Sequence, residues 1–415
     1  MTLATDKSAE SKEGFGSTLV IVAFIVFLDF LCIGLIFPVL PFLIQELGRV
    51  EIARAAEIGG FLIFAYAAMQ FVFAPVIGGV SDAVGRRPVL LVTLAILGLS
   101  NYIIAIAPTL EWLVLARIVS GITGATVVTA YSAVADSVPP AQRGKMFGII
   151  SGAGALGYVF GPAIGGVAGE ADTRLPFIIA AVLAFSGAVA GLFLLKETLA
   201  KGDRRSFSLA RANPLGALIS VSKSPFVLSC LLVTFLIYFA AQSQYSIWTY
   251  WGVLKFGWAP MLAGLTTAFY GVLLVISQAY FTGKCIARFG DKKTAFWSLA
   301  FAVPSYLLIA FAPSTPYVML AIVIGAIPGM TLPALQSMMT ARVADDAQGE
   351  LQGAIASASS LAVIVGPILA TQIFAKFSDD AGLFLPSAPF FFSTAVVLTA
   401  VALLAGILSK KAASN

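Results

Sequence analysis

Runs of about twenty apolar residues, separated by short polar stretches, follow one another along almost the whole of this chain. Each is long enough to cross the roughly 30 Å of bilayer hydrocarbon, where a backbone without water must bond within its own segment, so each predicts a helix. The runs lie at 17–44, 57–80, 88–107, 111–135, 145–169, 175–195, 225–251, 261–283, 294–312, 316–339, 351–375 and 386–408. The first follows a polar tail with Lys7, Glu10, Lys12 and Glu13 and lacks a small-residue cleavage site, which predicts a retained helix and no signal peptide. Between the sixth and seventh lies the one long polar connection, 196–224, with six basic and two acidic residues. It is the predicted linker between a first half, 1–195, and a second half, 225–415.

The halves are related. Adding 205 carries Gly78 to Gly283, Gly85 to Gly290, Pro108 to Pro313, Gly124 to Gly329, Gly144 to Gly349, Gly148 to Gly353, and Gly161-Pro162 to Gly366-Pro367. One register from the second span to the fifth implies a parallel duplication of a six-span unit. The fold class is therefore an all-α membrane protein of twelve transmembrane helices in two pseudo-symmetric bundles, with a substrate site expected near the midplane between them.

Composition agrees: 59% of the residues are hydrophobic and 11% charged, which overrides the two or three soluble domains that 415 residues would otherwise imply. The net charge of +5 is a topology signal and does not point to nucleic acid, because the cations are spread through short loops. With the amino terminus inside, nineteen of the 25 lysines and arginines fall in the tails and even-numbered loops and five in the odd loops, leaving Arg117 within a span. Both termini are thus expected on the cytoplasmic side of a bacterial-type inner membrane. Cys32, Cys230 and Cys285 fall in or at the ends of apolar spans, without metal or redox spacing. No metal or cofactor is expected, and without a histidine, nucleophile elbow or phosphate loop, no enzyme activity.

Asp29 stands near the centre of the first span, where a charge costs on the order of 3 kcal/mol even on the gentler insertion scales, so it needs a polar cavity and a partner or a proton. With no histidine in the chain, a transported proton must ride on a carboxylate. Arg117, inside the fourth span, needs an anion or carbonyl partner, and Asp29 is its most available counter-ion.

The stretch Gly78-Gly79-Val80-Ser81-Asp82-Ala83-Val84-Gly85-Arg86-Arg87-Pro88 resembles the loop signature of the major facilitator superfamily, with Ala83 where that family usually has a basic residue. Its weaker second copy runs from Gly283 to Lys293. Arg117 to Thr126 resembles the fourth-span motif of proton-coupled members. The fifth span, with Gly152, Gly154, Gly157, Gly161-Pro162 and Gly165-Gly166, resembles the antiporter motif of drug and proton exchangers. Ile33 to Ile36, Pro38 to Pro41, Leu332 to Gln336 and Leu351 to Gly353 narrow the resemblance to the twelve-span tetracycline-resistance exporters. The resemblance implies conformational gating by Gly78, Asp82, Gly85, Arg86, Arg87, Asp136, Gly157, Gly161, Pro162 and Gly165. Exporters of tetracycline carry further carboxylates in the third and ninth spans, where this chain holds Asn101 and Val303, so tetracycline does not follow.

Polar side chains within spans outline a substrate site: Gln70, Asn101, Tyr131, Gln242, Gln244, Tyr245, Trp248, Gln278 and Gln336, with Tyr270 and Gln372. Amides and phenols suit an amphiphilic ligand with ring systems and no need for a fixed charge. The expected function is proton-coupled antiport that exports small organic molecules or drugs, by a monomer in contact with membrane lipid. The alternatives are an importing symporter or facilitator, and a receptor or assembly factor on the same fold.

Overall fold

Lipid gives a backbone no hydrogen-bond partners, and each apolar run meets that constraint by coiling. The computed structural model describes residues 3–207, 224–344, 347–379 and 382–410, and among them there is no β-strand. The predicted linker therefore lies partly, at 208–223, outside the described residues. Up to that point the helices are α1 (Leu3–Ile36), α2 (Leu40–Gly48), α3 (Ile52–Val84), α4 (Arg86–Ala105), α5 (Leu110–Thr123), α6 (Thr126–Ser137), α7 (Pro140–Ala171) and α8 (Leu175–Leu194). After it come α9 (Pro225–Phe256), α10 (Pro260–Ile276), α11 (Thr282–Ala300), α12 (Ala302–Ala310), α13 (Thr315–Gly325), α14 (Thr331–Thr340), α15 (Gln348–Lys376) and α16 (Ala388–Lys410).

Eleven segments among the described residues are long and apolar enough to cross a membrane. The longest, Pro260–Ala310, has 51 residues, about 76 Å of helix and so more than twice the hydrocarbon thickness. It turns at Gly290, whose φ of 78° is open to glycine and strained for other residues, so this segment supplies two crossings and the total is twelve. Gly85, 205 residues earlier, makes the corresponding turn with φ 114°. The fourth and tenth spans are both broken, at Gly124-Ala125 between α5 and α6 and at Ala326–Met330 between α13 and α14. Pro162 and Pro367 lie inside the long helices α7 and α15. The duplication legible in sequence is thus repeated in backbone geometry.

The chain packs into two compact units, Met1–Leu43 with Ala68–Asn213 and Ile44–Ala67 with Pro214–Asn415. In the first, α1 is buried among its neighbours: Val22, Ile25, Leu28, Cys32 and Leu35 pack with Leu90 and Leu94 of α4 and Ala180 and Ala184 of α8. Its fit to α7 is a glycine seam. A Cβ at Gly161 would lie 2.7 Å from Gly34 Cα and from the Leu31 carbonyl oxygen, and one at Gly157 would lie 2.9 Å from the Leu31 nitrogen. Gly154 and Gly165 continue the same face against Phe30 and Leu35, whereas Gly144, Gly148 and Gly152 of the same helix face open space. In the second unit α9 holds the corresponding place. Ser393 of α16 donates to the Ala240 carbonyl (2.8 Å), and Trp251 meets Phe390 edge to face at 5.1 Å. Gly366 of α15 rests on Gln242 and Phe239 of α9. The first half of α3 belongs to this unit, where Gly59 meets the Tyr250 hydroxyl and Gly60 that of Thr371.

Candidate functional site

The break in the fourth span explains how a carboxylate can sit inside the first. Gly124 and Ala125 leave the helical path, and the freed Gly124 carbonyl accepts a hydrogen bond from the Gln70 side-chain amide. Thr126 then opens α6, and its hydroxyl bonds to the carboxyl of Asp29, which is only 9% exposed. The first backbone N–H groups of α6 have no intrahelical partners, and the dipole of this half-helix is positive at that end. The carboxyl of Asp29 therefore lies where a half-helix favours an anion, the device membrane transporters use for charged groups at mid-depth. Thr126 Oγ1 also lies 3.3 Å from Thr93 Oγ1 of α4, whose own proton goes to the Leu90 carbonyl (3.1 Å). The one proton of Thr126 can go to Asp29 or to Thr93, so this hydroxyl sits between α1 and α4 at the start of α6. Arg117 lies on α5, half-buried, nine residues before Thr126 on the same broken span.

The second half repeats the arrangement without the charge. Ser298 and Thr331, at Thr93 plus 205 and Thr126 plus 205, are 2.8 Å apart, and Thr331 opens α14 after the break. Asp29 plus 205 is Thr234, buried, with its hydroxyl spent on the Cys230 carbonyl of its own helix (2.9 Å). The offset pairs Thr93/Ser298 and Thr126/Thr331 are a signal that reading the sequence for glycines passed over.

At the other end of α6, Asp136 accepts from Arg86 Nε at 2.8 Å. Arg86 is only 7% exposed; its guanidinium also meets Asp82 at 2.5 Å and donates to Ser81 Oγ at 3.1 Å. Glu197 accepts from the backbone N–H groups of Arg86 (2.9 Å) and Arg87 (3.3 Å), while Arg87 donates to the Leu192 carbonyl. At Gly85 a Cβ would strike the Glu197 carboxylate. Gly78, by contrast, faces open space. Beyond Glu197 the Arg205 N–H bonds to the Asp82 carbonyl (3.1 Å). Of the residues expected to gate, Asp82, Arg86 and Asp136 are brought together. Glu197, read in sequence only as a charge in the linker, is the member that was missed.

The expected substrate residues divide. Gln244, Tyr245 and Gln278 come together with Tyr270, Tyr238 and Tyr306 around a cavity of about 290 Å³ in the second unit, and Tyr245 and Tyr270 are hydrogen-bonded. Gly325, Pro328, Gly329 and Thr331, from the break in the tenth span, form part of its wall. Tyr238 and Tyr306 were not singled out in sequence, although Tyr238, Ala241 and Tyr245 have the spacing of one helix face. Gln242 instead is buried under Gly366, and Trp248 donates to Thr266 Oγ1 (2.9 Å) beside Trp251 and Trp258. Tyr131 bonds with Ser151 Oγ (2.7 Å) and Gln336 with Gln352 (2.9 Å). Asn101 donates to the Leu97 carbonyl of its own helix (2.9 Å); its side-chain oxygen is buried and has no partner among the described residues.

The model of the Major Facilitator Superfamily matches residues 22–279 and 243–414 of the chain. The class C tetracycline resistance protein of Escherichia coli is 36% identical over 359 residues, covering 86% of this chain and 90% of the relative. The quinolone resistance protein NorA of Staphylococcus aureus is 25% identical over 355 residues, 85% of this chain and 88% of that one. Among solved structures, an inward-facing bacterial homolog of the human lysosomal transporter Spinster has a TM-score of 0.77 at 17% identity, covering 94% of this chain and 96% of that one. The human organic anion transporter MFSD10 reaches 0.71 at 22%, covering 94% and 99%. These two structures speak for the fold alone. With both halves matched by the family's model, the chain belongs to the Major Facilitator Superfamily.

Proposed function

We propose that this protein exports small organic molecules across a membrane in exchange for protons, and that Asp29 carries the proton. One observation supports this most: a carboxylic acid buried in α1 and held by Thr126 at the positive end of α6. In the ionised state the carboxylate is stabilised by that half-helix and by the Thr126 hydroxyl, with Arg117 as the compensating cation on the same broken span. In the protonated state it is neutral and its hold on α6 weakens. Because α6 carries Thr126 at one end and Asp136 ten residues on, about 15 Å away, a change of charge at Asp29 reaches the Arg86 cluster through one rigid helix. The glycine seam lets α1 and α7 lie close enough for such a shift to reposition both.

The cavity in the second unit is proposed as the substrate site. Its phenols and amides offer hydrogen bonds to an amphiphilic ring-containing molecule without a fixed counter-charge. The names of the relatives make tetracyclines and quinolones the first compounds to try, and the membrane proposed is a bacterial inner one with both termini inside. The test is purified protein in proteoliposomes carrying an internal pH indicator. Addition of a transported compound should drive proton movement in the opposite direction. Compound movement that proceeds equally with the pH gradient collapsed would overturn antiport in favour of facilitation.

A further inference from the structure

A groove of about 770 Å³ opens where α9 begins and where α14 and α16 end, and its lining includes Phe226, Leu232, Arg342, Thr399, Leu403 and Gly406. From Phe226 to Leu232 on α9 and from Thr399 to Ile407 on α16 it extends about 9–12 Å along the helices, most of the depth of one leaflet. Its length makes no polar demand, because the hydroxyls of Ser229 and Thr399 already bond to the carbonyls of Pro225 and Ala395 in their own helices. Among the described residues its lining carries a single charge, the cation Arg342, and no carboxylate, and the Arg342 guanidinium carbon lies over the Phe226 ring, 3.2 Å from its centre. That contact holds the guanidinium against the ring, and its planar fork suits two oxygens of a phosphate. A hydrocarbon slot with an oriented cation at headgroup level has the chemistry of a lipid site between membrane helices.

We propose that this groove binds an anionic phospholipid, one acyl chain lying between α9 and α16 and the phosphate on Arg342. A zwitterionic lipid brings its own ammonium group to its phosphate, whereas an anionic one leaves a net charge for the guanidinium, so the site selects by headgroup.

The purified full-length protein in detergent, examined by native mass spectrometry with phosphatidylglycerol or phosphatidylcholine of matched acyl chains, tests this. Wild type should retain phosphatidylglycerol about fivefold better, the factor one basic residue contributes at a lipid surface. Arg342→Gln should bring the two lipids to parity. Gly406 has open space where a side chain would begin, so Gly406→Trp can fill the groove without striking the fold, and it should lose both lipids while keeping the cation. Equal retention of the two lipids by wild type, unchanged preference in Arg342→Gln, or unchanged binding in Gly406→Trp would each overturn the proposal. Displacement of phosphatidylglycerol by inorganic phosphate would overturn it too, in favour of a site for free anions. If Arg342→Gln cannot be recovered folded, Gly406→Trp and the wild-type preference decide.

Discussion

Replacing Gly161 by alanine adds one methyl group to the tightest part of the α1–α7 seam. The new carbon would lie 2.7 Å from Gly34 Cα and from the Leu31 carbonyl oxygen, against an ordinary contact of 3.4 Å or more. Both neighbours are backbone, so neither can rotate aside, and the helices must part by about 0.7 Å. Overpacking of this kind costs about 1–3 kcal/mol, and the better helix propensity of alanine returns roughly 0.5–1 kcal/mol. The expected net is a destabilisation of up to about 2.5 kcal/mol, and relative to a variant that gains the same propensity without the clash it is about 1–3 kcal/mol. Gly152 supplies the control on the same helix, because a Cβ there meets nothing within 4 Å; Gly152→Ala gains the propensity and strikes nothing. The assay is thermal unfolding of both purified variants followed by tryptophan fluorescence, with initial transport rates measured in parallel. Gly161→Ala should unfold at a lower temperature and transport more slowly than Gly152→Ala. Equal stability and equal rates would refute the seam as a close-packed contact and leave its glycines without a mechanical role.

Three further outcomes are expected. Thr126→Val removes the hydroxyl that faces Asp29, and a hydrogen bond to a charged group is worth about 1.5–3 kcal/mol, so the proton-driven rate should fall tenfold or more while Thr126→Ser restores it. Arg86→Gln leaves Asp82 and Asp136 without their cation; because both acids are partly exposed, the loss of stability in thermal unfolding should exceed the ~1 kcal/mol of a surface pair and fall short of the roughly 3–5 kcal/mol of a fully buried one. Gln244→Ala and Tyr245→Phe should raise the KM for export severalfold, whereas Gln336→Ala, whose amide bonds to Gln352 outside the cavity lining, should leave it unchanged.

How much of this was legible in the sequence depends on whether the determining contact is local. Span lengths are set by bilayer thickness, and the apolar runs therefore mark the helices; the turn at Gly290 is visible because the register carries Gly85 onto it. The break at Gly124-Ala125 is less visible, since glycines at 121 and 124 also read as a packing seam, and what marks the break is a carbonyl taken by Gln70, fifty-four residues away. In the seventh span, Gln242, Gln244 and Tyr245 form a cluster in sequence but not in space. At 100° per residue, Gln242 and Gln244 point to nearly opposite sides of α9, so one is buried under Gly366 while the other reaches the cavity. Helical spacing, applied there, would have replaced Gln242 by Tyr238. Glu197 was illegible for a different reason. A carboxylate in a basic linker reads as a solvated charge, and only the fold brings the Arg86 and Arg87 amides to it.

The most direct measurement concerns Asp29. Purified Asp29→Asn protein, reconstituted beside wild type, can be loaded with a labelled substrate and compared in two modes: exchange at equilibrium, and accumulation driven by an imposed pH difference. Asparagine keeps the size of the side chain and its ability to accept from Thr126 but cannot give up a proton. Exchange at equilibrium should continue, and accumulation against a concentration gradient should be abolished. If Asp29→Asn still concentrates the substrate under the pH difference as wild type does, the proton travels elsewhere and Asp29 is not the coupling site.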